Sequence, residues 1–276
     1  MPDVSDYELF KTTEPSGPAR RSIALWVAVA VILGAALITL LVVVWHRRPA
    51  PAPAPARAEA PARPAKPLGG EAEAIAVPPL NETDALVREL VNKVSSHPRI
   101  AAWLATDDLI RSFTIGVANV AQGQSAARQL TMLRPSSTFA VVKHGNDLAI
   151  DPRSYRRYDT LAAAAASIDA AGVARVYATL KPRIDEAARE LGDVSFDATL
   201  ERAIVQLLNT PVVDDPILVQ TKGIGYAFVD PRLEGLTGAQ KHLLRTGPQN
   251  ARTIQASLRA IALALGIPEE RLPKAR

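Results

Sequence analysis

The chain has 276 residues, enough for one or two domains, and its formal net charge of +4 is too small to indicate a polyanion partner by itself. It contains no cysteine, which excludes disulfide bonds, thiolate nucleophiles and cysteine-ligated zinc or iron–sulfur sites. The polar residues 1–22 show no apolar periodicity, so we expect a disordered N-terminal tail.

Residues 23–45, IALWVAVAVILGAALITLLVVVW, form an apolar run without a charged side chain. As a helix the run would be roughly 34 Å long, enough to cross a hydrocarbon core of about 30 Å. Trp26 and Trp45 lie near its two ends, where indole rings favour the headgroup layer, so we predict them as membrane-interface anchors. A secretory signal is shorter and ends in a small-residue cleavage site, which is not evident here. The run therefore predicts one retained N-terminal transmembrane helix.

Lysine and arginine are almost equally frequent on the two sides of this run, so charge alone leaves its orientation open. A short N-terminal tail is easily retained inside the cell, and long domains are translocated largely regardless of charge. We therefore expect a single-pass protein of the bacterial inner membrane with its C-terminal domain in the periplasm.

Residues 46–80 follow as a Pro/Ala-rich linker that contains PAPAPAPARAEAPARPAKP over residues 49–67. Because proline fixes φ and removes backbone donors, this stretch predicts an extended, semi-rigid spacer instead of a helix or a strand. At about 3.1 Å per residue it would reach roughly 60 Å, which would hold a domain away from the bilayer.

Residues 81–267 predict a mainly α, compact multi-helix globular domain with a small antiparallel β element, and residues 268–276 predict a flexible tail. Thr106 with the two following aspartates is typical of a helix N-cap and an acidic first turn. Helices are predicted from Asp84 to Val94, from Pro98, from this N-cap to about Gly123, from Asp159, from Val173 to Leu191 and from Asp197 to Asn209.

The β element is predicted from two local patterns. Residues 139–143 and 148–150 flank the turn signal HGND and indicate a hairpin, and the stretches ILVQ and YAFV indicate two more short strands. The last two helices are clearly delimited, because Thr237 and Gln240 match a capping box and Gly247-Pro248 would end one helix and begin the next.

The stretch LRTGPQNARTIQ, residues 244–255, resembles half of a helix-hairpin-helix DNA-binding motif. Arg245 occupies the position of that motif's first glycine, which removes the close backbone approach to a phosphate. The favoured interpretation is therefore an ordinary αα-hairpin with Arg252 facing solvent.

A second basic stretch, DPRSYRRYDT at residues 151–160, interleaves arginine with tyrosine. Such residues can hold phosphate and stack on bases, but they also commonly pair with neighbouring carboxylates, here Asp151 and Asp159, which is the reading we favour. The candidate anion-binding residues of the two stretches are Arg153, Arg156, Arg157, Arg245 and Arg252.

Nothing in the sequence assembles a catalytic or metal site. The four histidines have no H-x-x-x-H spacing, and the stretch GQSAA around Ser125 lacks the final glycine of a nucleophile elbow. We therefore predict no catalytic residue, no metal and no cofactor.

Four blocks carry a family resemblance: SHPRIAAWLATDDLIRSF, LRPSSTFAVV, IDPRSYRRYDTLAAAAASIDAAG and LTGAQKHLLRTGPQNARTIQASLR. In this order and spacing they resemble a bacterial membrane-anchored family catalogued as domain of unknown function three thousand and fourteen, over roughly residues 79–265. The resemblance implies an N-terminal span and a proline-rich spacer, but it supplies no functional residue.

The sequence thus favours a non-catalytic interaction or scaffold protein of the bacterial cell envelope. Its expected partners are the lipid bilayer, through residues 23–45, and another envelope protein. The alternative is a membrane-tethered protein that binds a polyanion, either DNA or an acidic envelope polymer, through the Arg-bearing helical hairpin. The sequence favours no oligomeric state.

Overall fold

The structure, a computed structural model, describes residues 67–135, 137–214 and 216–274, all within one compact unit. Several predictions therefore fall outside the described residues. They are the tail over 1–22, the transmembrane helix over 23–45 with its anchors Trp26 and Trp45, and the linker as far as residue 66.

The described part of the chain contains ten α-helices and one four-stranded sheet, so the prediction of a mainly α domain with a small antiparallel β element is confirmed. The helices are α1 (Asp84–Val94), α2 (Pro98–Leu104), α3 (Leu109–Ala121), α4 (Arg153–Arg156), α5 (Asp159–Ala166), α6 (Ala170–Glu190), α7 (Phe196–Leu208), α8 (Pro231–Glu234), α9 (Gly238–Leu244) and α10 (Pro248–Ala264). Short 3-10 helices lie at Leu80–Glu82, Ala126–Arg128, Thr131–Leu133 and Glu269–Arg271.

The sheet consists of β1 (Val141–His144), β2 (Asp147–Ile150), β3 (Leu218–Lys222) and β4 (Gly225–Phe228). All neighbouring strands are antiparallel and lie in chain order. Gly145 and Gly223 occupy the two hairpin turns with φ of +63° and +58°, a region that glycine adopts without a steric penalty. The predicted hairpin is confirmed, and the two later strands extend it to a four-stranded sheet through the pairing of β2 with β3.

Two hydrophobic clusters form the core. The larger one joins α1, α2, α3, α6, α7 and α10, and its fully buried members include Leu90, Leu109 and Leu265. The smaller one lies under the sheet, where Ile150 and Phe228 pack with residues of the neighbouring loops and helices. The helical bundle and the sheet therefore have separate apolar centres.

The start of α3 differs from the prediction. Asp108 is the N-cap residue, but it has a left-handed φ of +54° and its side chain makes no capping hydrogen bond. The carboxylate of Asp84 on α1 accepts from the backbone N–H groups of Asp108, at 2.9 Å, and Leu109, at 3.0 Å. Thr106 instead donates to the backbone oxygen of Trp103 at 2.8 Å, at the end of α2. The free amides of the helix are thus capped by a residue of another helix.

The domain extends beyond the expected boundaries at both ends. Residues 67–80, expected in the linker, contact the bundle: Leu68 packs against the larger cluster and Leu80 is only 6% exposed. In the expected tail, 268–276, Leu272 is also buried. The apolar residues of these two segments follow neither a helical nor a strand period, which is why the sequence pattern did not include them in the domain.

Among the described residues, no single helix is both long and apolar enough to cross a bilayer. The consecutive helices α5 and α6 reach that length and composition only when taken together, and a bend of 76° separates them.

Candidate functional site: an apolar cavity and the adjoining polar surfaces

The two arginine-bearing stretches of the sequence, residues 151–160 and 244–255, pack against each other. Gly247, between α9 and α10, has a φ of +85°, and a Cβ atom there would lie 2.4 Å from the Cγ atom of Tyr155. Asn250 Nδ2 donates to the backbone oxygen of Tyr155 at 3.0 Å. The fold therefore unites the two predicted basic motifs, which the sequence presented separately.

Two of the five candidate arginines are held by carboxylates. Arg153 Nη2 lies 2.6 Å from Asp151 Oδ2, and this side-chain bond, with a backbone hydrogen bond from Arg153, holds the pKa of Asp151 below its ordinary value. Arg252 Nη2 lies 2.5 Å from Asp214 Oδ2 and lowers the pKa of Asp214 in the same way. Either guanidinium group would have to leave its carboxylate before binding another anion.

The next two candidates differ in how far their neighbours satisfy them. Arg157 donates from Nε to the backbone oxygen of Ser154 at 2.8 Å and from Nη1 to that of Ser137 at 3.0 Å. Its guanidinium group also lies 5.5 Å from the centre of the Phe139 ring. Arg156, by contrast, is exposed and forms no hydrogen bond or ion pair with the residues described, so it is more available to an anion than Arg157.

Arg245 lies partly buried at the end of α9. Its guanidinium group is 5.2 Å from the centre of the Phe228 ring, a cation–π distance. Burial raises the pKa of Tyr158, and the charges of Arg157 and Arg245 oppose that rise. Arg245 is therefore part of an aromatic cluster and does not stand alone at the tip of a hairpin.

Ser125 and His242 form a pair that the sequence reasoning missed. They are 117 positions apart, yet Ser125 Oγ lies 2.6 Å from His242 Nδ1. Burial lowers the pKa of His242, the charge of Arg245 lowers it further, and a hydrogen bond with the backbone of Leu133 acts in the opposite direction. Ser125 Oγ also accepts from the backbone N–H of Ala127 at 3.3 Å. These contacts fasten the loop that follows α3 to α9, and no spacing rule could have indicated them.

A cavity of about 420 Å³, partly open to solvent, lies among the helices of the bundle. Six helices supply its wall, together with the two 3-10 turns that follow α3. The wall includes Val87 of α1, Val117 of α3, Leu180 of α6, Ile204 of α7 and Ile261 of α10. No charged residue of the described ranges lines it.

Several apolar side chains keep accessible surface although they lie on the inner faces of their helices. Phe113, Val117 and Val120 follow one another at helical spacing along α3, line the cavity and are only partly buried. Val176 of α6 and Ile261 of α10 are in the same situation. Since protein interiors are normally close-packed, such positions would otherwise be fully covered. The bundle therefore contains space that its own side chains do not fill.

Two hydroxyl-bearing residues in the wall are already bonded to other parts of the protein. The Tyr177 hydroxyl donates to Asp197 Oδ1 at 2.5 Å, and burial raises the pKa of this phenol, with the Asp197 carboxylate adding to the rise. Ser95 Oγ is 2.8 Å from Ser167 Oγ. The wall therefore presents mainly hydrocarbon to the cavity.

Trp103 of α2 lines both this cavity and a second crevice of about 160 Å³. The other residues of the crevice are Ala102, Thr106, Ser112, Gln129 and Thr131. Trp103 Nε1 is buried and has no hydrogen-bond partner among the described residues. Buried indole N–H groups usually have an acceptor, so this donor is exceptional.

The histidines of the described domain have separate settings. His97 caps α2, its Nδ1 accepting from the backbone N–H of Arg99 at 3.2 Å. His144 is exposed at the end of β1, and His242 is bound to Ser125. In the part of the chain that the structure describes, no three His, Asp or Glu residues are grouped so that they could hold a metal ion.

Comparison with known proteins relates this domain to a family of proteins. A family model described as a protein of unknown function, DUF3014, matches residues 109–262, which are 154 of the 276 residues. The match begins with α3 and ends within α10, so it contains the sheet, both arginine motifs and four of the six helices that line the cavity. No curated protein and no solved structure matched the chain. Since the family model covers more than half of its length, the chain belongs to the DUF3014 family of proteins of unknown function.

Proposed function

We propose that this chain is a membrane-tethered, non-catalytic binding module of a bacterial cell envelope, and that its helical domain takes up the hydrocarbon chain of an amphiphile. The cavity of about 420 Å³ with its apolar wall is the observation that supports this proposal. The anchor expected at residues 23–45 and the spacer after it would keep the domain near a bilayer, where such chains are abundant. The envelope protein expected as a partner would receive or present the ligand.

The volume of the cavity argues for an occupant. In core-truncation series the penalty for an enclosed cavity is about 24 cal/mol per Å³, so apolar space that the bundle leaves unfilled lowers its stability. Apolar cavities of about 150 Å³ already bind benzene-sized ligands. An apolar ligand would therefore recover much of the packing energy that the bundle lacks.

The chemistry of the wall favours a hydrocarbon chain over a polar metabolite. A polar ligand in this space would lose its hydrogen bonds to water, and the wall offers few groups to replace them. The hydroxyls of Ser95 and Tyr177 already have protein partners. A hydrocarbon chain needs only dispersion contacts, which Val117, Leu180 and Ile261 can supply.

The proposal is tested by using Trp103 as a reporter inside the cavity wall. The chain has three tryptophans, so replacing Trp26 and Trp45 by phenylalanine leaves Trp103 as the only one. Bromine quenches indole fluorescence on close contact. We expect 1-bromododecane to quench Trp103 saturably in the full-length protein reconstituted in phosphatidylcholine vesicles.

A matched pair of variants on α10 locates the binding site. Ile261 lines the cavity, whereas Leu263 does not and is 44% exposed. Ile261→Phe occupies ligand space, and displacing about two methylene groups at about 0.8 kcal/mol each weakens binding roughly tenfold. Leu263→Phe should leave binding unchanged. Quenching that does not saturate, or that is the same in both variants, would refute the proposal.

The second candidate, binding of DNA or an acidic polymer, is favoured by the convergence of the two arginine motifs. Arg156 is exposed and unpaired within the described domain, and Arg245 lies in the adjoining motif. Phosphate contacts would make the affinity of the full-length protein for DNA fall steeply between about 50 mM and about 200 mM salt in a filter-binding assay. Arg156→Ala should reduce that salt dependence, and retention that does not change with salt would count against this candidate.

A further inference from the structure

We infer that the ligand is a single-chain amphiphile with an uncharged, hydrogen-bonding headgroup. Its chain occupies the apolar cavity and its head occupies the polar crevice beside Trp103. This inference rests on the proposed function, because it assigns a headgroup to the ligand of the same cavity. The ligand class that fits is a fatty alcohol, a fatty amide or a monoacylglycerol.

Trp103 lies at the boundary between the two spaces. Its side chain lines both the cavity and the crevice, so a ligand that occupied both would contact the indole ring. The Nε1 donor is buried and lacks an acceptor in the described domain. An oxygen atom at the junction of chain and headgroup, such as an ester carbonyl or a hydroxyl, would accept this hydrogen bond.

The crevice has the chemistry of a neutral polar site. Its polar side chains are three hydroxyls and one amide, and no charged residue is among those that line it. The side chains of Ser112, Gln129 and Thr131 form no hydrogen bonds with other described residues, so they are available to a ligand. A carboxylate or an ammonium head would lose hydration here without gaining an opposite charge. A volume of about 160 Å³ suits a head of glycerol size.

Competition among three ligands with the same twelve-carbon chain tests the headgroup. In the full-length Trp103 reporter, 1-lauroylglycerol, laurate and dodecylammonium each compete with bound 1-bromododecane, and displacement restores the fluorescence. One additional hydrogen bond predicts that 1-lauroylglycerol acts at about fivefold lower concentration than either charged ligand.

A pair of double variants assigns that preference to the crevice. Gln129→Ala with Thr131→Val removes two crevice groups and should reduce the preference while leaving the affinity for 1-bromododecane unchanged. Gln122→Ala with Thr138→Val makes the same changes at exposed positions outside the crevice and should retain it. Because the same ligands are used throughout, their partition into the vesicles cancels when variants are compared.

The outcomes separate this inference from the function on which it rests. If 1-bromododecane does not quench Trp103 saturably, the cavity is not a binding site and the proposed function fails. If 1-bromododecane binds but a charged ligand competes as well as 1-lauroylglycerol, the proposed function stands and the neutral headgroup is wrong. A preference that is unchanged in the crevice variant likewise overturns the assignment of the head to the crevice.

Discussion

Asp84 lies on α1 but caps α3, and removing its carboxylate tests how these two helices are joined. Its Oδ2 accepts from Asp108 N at 2.9 Å and its Oδ1 from Leu109 N at 3.0 Å. The side chain is 24% exposed, and Arg88 Nη2 approaches it at 3.7 Å. Asp84→Ala therefore leaves two amides at the start of α3 without an acceptor.

The expected loss follows from these two hydrogen bonds. Loss of a capping side chain typically costs about 1 kcal/mol, and the interaction of a carboxylate with a helix N-terminus adds about 0.5 kcal/mol. Because two amides lose an ionised acceptor, we expect Asp84→Ala to lower the free energy of unfolding by about 2 kcal/mol. For a domain of this size, that decrease corresponds to a fall in Tm of about 4–8 °C.

Thermal unfolding of the full-length protein in phosphatidylcholine vesicles, followed by circular dichroism, measures this difference. Asp107→Ala is the matched control, since the Asp107 side chain is 94% exposed and contacts Arg88 only at 3.4 Å. A surface ion pair of this kind contributes at most about 1 kcal/mol. If Asp107→Ala lowered Tm as much as Asp84→Ala, the cap would belong to the local aspartates and our reasoning would be refuted.

Two further predictions concern Gly247, where the two basic motifs meet, and the partly buried His242. Gly247→Ala should lower the free energy of unfolding by about 2 kcal/mol or more beyond the loss caused by Gly145→Ala, and should lower Tm accordingly. Both glycines have positive φ, but only a Cβ atom at position 247 would collide with Tyr155. Equal losses in thermal unfolding would contradict that steric argument. The pKa of His242 is lowered in the folded protein. Its contribution to the free energy of unfolding is therefore complete above about pH 6.5, the unfolded pKa, and is lost as pH falls through the folded pKa. The free energy of unfolding then falls by no more than about 1.4 kcal/mol per pH unit. Urea unfolding between about pH 5 and pH 8 measures this slope, which His242→Gln should reduce; an unchanged slope would assign the effect to other groups.

The sequence correctly predicted a helix cap and a helix boundary, which depend on residues only a few positions apart. Thr237 Oγ1 accepts from Gln240 N at 3.3 Å and Gln240 Oε1 accepts from Thr237 N at 3.2 Å, as the T-x-x-Q pattern indicates. Gly247 and Pro248 separate α9 from α10 as predicted, since only glycine adopts that backbone conformation freely and proline suits the first turn of a helix. Local hydrogen bonds and steric limits are sufficient for such features.

The sequence identified the candidate anion-binding arginines, but it did not show which of them are free to bind an anion. The pairing of Arg153 with Asp151 was open to prediction, because the two lie two positions apart beside a short helix. The pairing of Arg252 with Asp214 joins residues 38 positions apart, and nothing local indicates it. Whether an arginine can bind a ligand therefore depended on contacts that only the fold creates.

The amino-acid sequence alone identified the apolar run at residues 23–45, the proline-rich stretch after it, and residues at which helices of the domain begin and end. These features depend only on composition and on near neighbours. The tertiary structure decided that Asp84 caps a different helix, that Ser125 meets His242, and that six helices leave an unfilled apolar space beside Trp103. An amphipathic pattern indicates which face of a helix turns inward. It does not indicate whether the inward side chains of several helices fill the volume between them, because that volume depends on the distances and crossing angles of elements far apart in the chain.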